Sequence, residues 1–81
     1  EARDLYEQVI AGYTSQLGAD HTRTLDTKYN LVVLLETTGE LEEAFRVCQD
    51  VVDGYALAYG AEHAETVDAK GMLERIQRAM E

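Results

Sequence analysis

The chain has 81 residues, 46% of them hydrophobic, with no proline, no tryptophan and a single cysteine. That length admits one small domain with a marginal core, and the composition excludes a disordered chain. Seven Lys and Arg against sixteen Asp and Glu leave a formal charge of −9, which argues against nucleic acid as a partner and favours basic proteins or peptides, unless it serves solubility alone.

Taken in chain order, the first helix is expected over about residues 2–17, where Leu5, Tyr6, Val9, Ile10, Tyr13 and Leu17 recur at helical spacing. Gly18 supplies its stop. Asp20 and Thr22 are the candidate caps of a second helix over about 22–38. Its apolar run at 31–35 suits a helix packed on two sides. As the longest unbroken apolar stretch, that run is far too short to span a membrane. Gly39 ends the second helix, and a third over about 40–59 opens on Glu40, Glu42 and Glu43, where the helix dipole favours negative charge. Leu41, Ala44, Phe45, Val47, Cys48, Val51, Val52, Tyr55 and Tyr59 give it a face broad enough to meet both neighbours. Gly60 stops it, and a fourth helix over about 64–80 is expected to bury Val67, Met72, Leu73, Ile76 and Met80. Short turns place successive helices antiparallel. Cys48 sits inside an apolar stripe, so it reads as a small buried hydrophobe, and a lone cysteine fits a reducing compartment such as the cytoplasm. The opening Glu-Ala-Arg-Asp-Leu has no signal-peptide character and reads as the interior of a longer protein.

The chain repeats itself. Laying Glu1-Ala2 on Glu43-Ala44 aligns 39 positions without a gap, and 12 of them are identical. Among these, Val9 falls on Val51, Gly12-Tyr13 on Gly54-Tyr55, Gly18-Ala19 on Gly60-Ala61, His21 on His63, Thr24 on Thr66, Asp26 on Asp68, Lys28 on Lys70 and Leu31 on Leu73. Gly12 and Gly54 stand inside helices, where glycine costs roughly 1 kcal/mol against alanine. Close approach of a neighbouring helix is the simplest reason for both, and shared ancestry is the other.

The stretch Tyr29-Asn30-Leu31-Val32, followed by Leu35, Gly39, Leu41, Glu43-Ala44, Cys48 and Val51-Val52, resembles a tetratricopeptide repeat. The 42-residue period, the Leu17-Gly18-Ala19-Asp20-His21 turn and Thr27-Lys28-Tyr29-Asn30-Leu31 resemble the longer variety found in kinesin light chains. The resemblance covers the whole chain, in the order second helix, first helix, second helix, first helix. Thr22 and Ala64 follow the turn histidines where such repeats usually carry proline. The groove asparagine is present as Asn30 and replaced by Met72 in the next copy. The resemblance implies an all-α fold: antiparallel helix-turn-helix units in a short right-handed α-solenoid of four helices, as one domain over 1–81. It also implies a concave groove lined by the first helices. Here that groove would be Asp26, Tyr29, Asn30, Val33 and Thr37, then Asp68, Met72, Arg75 and Ala79. Helical spacing supports each set as one face, and such a face suits an extended peptide or a partner helix. Asn30 would hydrogen-bond a ligand's backbone there, or else tie adjacent helices together. Tyr29 and Val33 would be ligand contacts, or core filled by a neighbouring repeat.

No catalytic chemistry is expected. His21 and His63 occupy the same turn of successive repeats and are read as bonding their own turns, with no third ligand beside them for a metal. No serine, cysteine or lysine is paired with a base, and no glycine-rich phosphate loop or cofactor motif appears. Three readings of function stand: a module that binds a peptide or partner protein, a unit that assembles with copies of itself, and a spacer. Repeat units bury their apolar faces only against neighbours. Tyr6, Val9 and Tyr13 at one end, with Ile76 and Met80 at the other, are therefore expected to lie uncovered and to drive self-association, most simply as a dimer.

Overall fold

A computed structural model describes residues 2–18 and 21–81, with no side-chain description for residues 2 and 3. The fold is all-α: α1 is Ala2–Leu17, α2 is Thr22–Thr38, α3 is Leu41–Tyr59 and α4 is Ala64–Met80. Each helix packs on the next in sequence, and the stack forms a slab whose Cα extents are 37 × 34 × 14 Å.

The two Gly-to-His turns are copies of one another. In the second, Gly60 takes a positive φ of 101°, a conformation that glycine adopts without steric cost. The His63 amide donates to the Gly60 carbonyl at 3.3 Å, and the Thr66 hydroxyl reaches back six residues to the same carbonyl at 2.8 Å. The His63 Nδ1 accepts from the Glu65 amide at 3.1 Å, so the histidine is the cap of α4. The first turn repeats this with Gly18, Thr24 and His21, the His21 Nδ1 accepting from the Arg23 amide. The cap of α2 is thus His21, while Thr22 is its first helical residue; Asp20 lies outside the described residues. The α2–α3 turn is different and tighter. Gly39, left-handed at φ 83°, lets the Glu40 amide return to the Leu35 carbonyl at 2.9 Å, which closes the helix end. Glu40 is the residue flanking α3, whose first turn holds Glu42 and Glu43.

The main core joins Leu31, Val32 and Leu35 of α2 with Ala44 and Cys48 of α3 and Met72 and Ile76 of α4, and Tyr6 and Ile10 of α1 pack against it. A second cluster lies nearer the turns: Leu25, Val51, Tyr55 and Ala69. α3 contributes to both and is the central helix, packed between α2 and α4. Val67, expected to be buried, is 52% exposed; of the two residues expected both in the core and at the open end, Ile76 is fully buried and Met80 is 43% exposed. The reason is the angle at which α4 lies: Ala69, Met72 and Ile76, at spacings of three and four, face the core and turn the Val67 side outward. On α1, Tyr6 packs against the core, while Leu5, Val9 and Leu17 are exposed.

The helical glycines separate as well. A Cβ on Gly54 would overlap the Cδ atoms of Leu25, whereas one on Gly12 would meet nothing within 4 Å. Gly54 is the close-approach point of α2 and α3, and Gly12, its counterpart, has open space. Gly12→Ala is therefore expected to stabilise the chain by up to about 1 kcal/mol through helix propensity. Gly54→Ala is expected to destabilise it by about 1 kcal/mol, because overpacking a buried leucine outweighs the same propensity gain. Urea denaturation of both variants at low protein concentration checks the opposite signs.

Candidate functional site

The Gly54–Leu25 contact brings α3 close enough for Tyr55 to reach across to α2. Its ring is buried, and its hydroxyl donates to the Asp26 Oδ1 at 2.5 Å. Burial and then this bond to a carboxylate push the Tyr55 phenol well above its ordinary range, because both oppose formation of a phenolate. Beside this bond lies a hollow of about 340 Å³, lined by Asp26, Tyr29 and Asn30 of α2, Tyr55 of α3, and Glu65 and Asp68 of α4. Glu65 stands in the first turn of α4, where the helix dipole supports its charge. Three acidic residues thus line the hollow with no basic side chain among its lining residues.

Four residues expected on the groove, Asp26, Tyr29, Asn30 and Asp68, come together in this hollow. The others do not. Met72 is 2% exposed and belongs to the core with Leu31 and Ile76; its flexible apolar chain folds inward where the polar Asn30 of the other copy stays at the surface. Val33 and Thr37 are exposed farther along α2, the Thr37 hydroxyl donating to the Val33 carbonyl at 2.9 Å. Ala79 is exposed near the end of α4. Arg75 is held by Glu36 of α2 in a two-pronged ion pair, Nε to Oε2 at 3.1 Å and Nη2 to Oε1 at 2.8 Å. That pairing raises the Arg75 pKa and links α4 to α2. Tyr55 and Glu65 were not anticipated on this face. The signal for Tyr55 was its identity with Tyr13 beside the Asp26/Asp68 identity, a spacing shared by the two repeats.

The remaining chemistry-bearing groups are structural. Cys48 is buried, and its thiol donates to the Ala69 carbonyl at 3.5 Å. Burial first, and the Glu36 charge second, push the thiol up to about 11, with Arg75 pulling weakly the other way. His63 stacks on Tyr59 with ring centroids 4.5 Å apart. Among the described residues no group of three or more His, Cys, Asp or Glu is placed to hold a metal, and no helix is long and apolar enough to cross a membrane.

These features define a helical repeat protein: pairs of helices that recur in sequence and in space, with matched turns and a shared core. The tetratricopeptide repeat family matches at residues 24–65, from α2 through α3 into the first turn of α4. The chain belongs to the tetratricopeptide repeat family. No curated protein and no solved structure matches it. Repeats of this family mediate protein–protein interactions on a scaffold fold that is not catalytic.

The buried thiol and phenol make stability depend on alkaline pH. Both pKa values are raised on folding, so the native chain keeps protons that the unfolded chain releases above about pH 9 for Cys and pH 10 for Tyr. Their contribution is fully present below pH 9 and is lost as pH climbs through the folded values. The urea midpoint is expected to hold from pH 7 to 8.5 and to fall steeply toward pH 11. A Tyr55→Phe/Cys48→Ala chain, though weaker at pH 7, is expected to show a flatter alkaline limb.

Proposed function

We propose that this chain is a protein-binding module whose hollow between α2 and α4 takes an arginine or lysine side chain from an extended segment of a partner. The observation that carries the reading is that Asp26, Glu65 and Asp68 line one hollow with Tyr29, Asn30 and Tyr55 and no basic residue. A guanidinium or ammonium group entering there gains charge-assisted hydrogen bonds, and the Tyr29 ring offers it an aromatic face. The Tyr55 bond fixes Asp26 beforehand, so little freedom is lost on binding at that carboxylate. Asn30, exposed beside it, supplies an amide suited to a peptide backbone, and Val33 and Thr37 extend the same strip along α2. The chain's charge of −9 draws a basic partner in from a distance. Catalysis, metal and cofactor have no part in this reading, and the free, buried Cys48 suits a reducing, cytoplasmic setting.

The test is fluorescence titration with a labelled extended peptide bearing two arginines, beside a control carrying glutamines at both positions. Binding is expected for the arginine peptide alone, weakening as NaCl rises because the attraction is between exposed charges. A Glu65→Gln/Asp68→Asn chain should bind it on the order of tenfold more weakly, about 1.4 kcal/mol. Equal binding of both peptides, or no response to the double substitution, would overturn the assignment of this hollow.

A further inference from the structure

α1 and α3 each pack on α2, and a second hollow of about 290 Å³ lies between the three helices. Lys28 and Leu31 of α2 line it, on the opposite side of that helix from Asp26, Tyr29 and Asn30 by helical spacing. The two hollows share no residue. On α1 the wall is Glu7, Ile10 and Ala11; on α3 it is Glu43, Val47 and Asp50. Steps of three and four residues put each set on one helix face.

The deeper members are apolar. Leu31 belongs to the main core at 4% exposure, and the half-buried Ile10 and Val47 pack against it. Their packing holds them in place, so a ligand meets a preformed surface. The outer members are acidic. Glu7 and Asp50 are exposed, one on each wall, and with Glu43 they make three acidic residues against Lys28 in the lining. Where the hollow between α2 and α4 is polar, this one is an apolar patch with acid on both sides.

We propose that this hollow docks an amphipathic helix of a partner protein. One bulky apolar side chain, Leu or Phe, enters between α1 and α3, and Arg or Lys side chains one turn away on either side meet the acidic walls. The α3 wall sets the pattern: Glu43, Val47 and Asp50 read acid, apolar, acid at steps of four and three. A partner helix lying along α3 presents base, apolar, base at the same steps on a single face. A strand does not fit, because its neighbouring side chains alternate between opposite faces. A second copy does not fit either, since each carries a charge of −9 and copies repel. Burial of the apolar side chain supplies affinity, and the acidic walls select its flanks.

Fluorescence anisotropy on the 81-residue chain tests the proposal with a labelled, alanine-rich helical peptide carrying Arg, Phe and Arg at those steps. Control peptides carry Ala for Phe, or Gln for both Arg. The full peptide is expected to bind on the order of tenfold more tightly than either control, and less tightly as NaCl rises. Ala11 is exposed, so Ala11→Lys sets a long cationic side chain at the hollow, and lysine is a good helix former. Circular dichroism is expected to show that variant folded, with affinity for the peptide lower on the order of tenfold. Asp50→Asn is expected to weaken binding by a smaller factor. Absence of binding would sink the proposal, as would equal affinity for the Phe and Ala peptides or for the wild-type and Ala11→Lys chains. Binding lost with Glu65→Gln/Asp68→Asn and kept with Ala11→Lys would assign the peptide to the hollow between α2 and α4, and would also overturn it.

Discussion

The fit of one leucine over one helical glycine sets the spacing on which the rest of the structure depends. With Gly54 in place, α3 can lie against α2 at the distance Leu25 requires. At that distance the Tyr55 hydroxyl meets Asp26, Val51 closes the small cluster near the turns, and Ala44 and Cys48 meet Leu31, Val32 and Leu35 farther along. α3 then presents its other side to α4, where the Cys48 thiol meets the Ala69 carbonyl. A chain this short has little core to spare, so a central helix that is buried on two sides accounts for much of its cohesion. The cost of glycine in mid-helix is offset by the packing it permits.

The same contact shapes the surface. Asp26 is held by Tyr55 from within and lines the hollow, so a core interaction positions a surface carboxylate. Glu65 and Asp68 join it from α4 because the Gly60-to-His63 turn starts that helix at the right height. Arg75, the one basic residue expected on this face, is taken up by Glu36. The ion pair is exposed and contributes little to stability, about 0–1 kcal/mol, but it keeps a cation away from the acidic end of the face. The hollow's sign is thus a property of arrangement as well as of composition.

Much of this was legible in the residues. Helical periodicity, the glycine stops and the self-similarity of the two halves located all four helices, since each rests on local spacing. The fate of single side chains was less legible. Val67 and Ile76 look alike in a helical pattern, and only the angle of α4 against α3 exposes one and buries the other. Met72 sits at the position of Asn30, so register placed it on the groove, while its hydrophobicity carried it into the core. The histidines were correctly read as turn residues, but their role as helix caps required the backbone angles that aim Nδ1 at an amide two residues on. Of the two glycines, each followed by a tyrosine, one has a leucine of the neighbouring helix over it and the other open space. Local sequence does not encode which neighbour is present.

The Gly-to-His turn carries a consequence for how such a protein changes size. Its bonds are all made within a short stretch of chain: threonine to glycine carbonyl, histidine amide to the same carbonyl, histidine ring to the amide that follows. Nothing in the corner depends on how many units precede or follow it. A gain or loss of one whole unit at such a corner leaves every local bond intact and asks of the core only that matching faces meet. Length in this architecture is therefore a quantity that duplication and deletion can alter in whole steps, with the corner serving as the splice point.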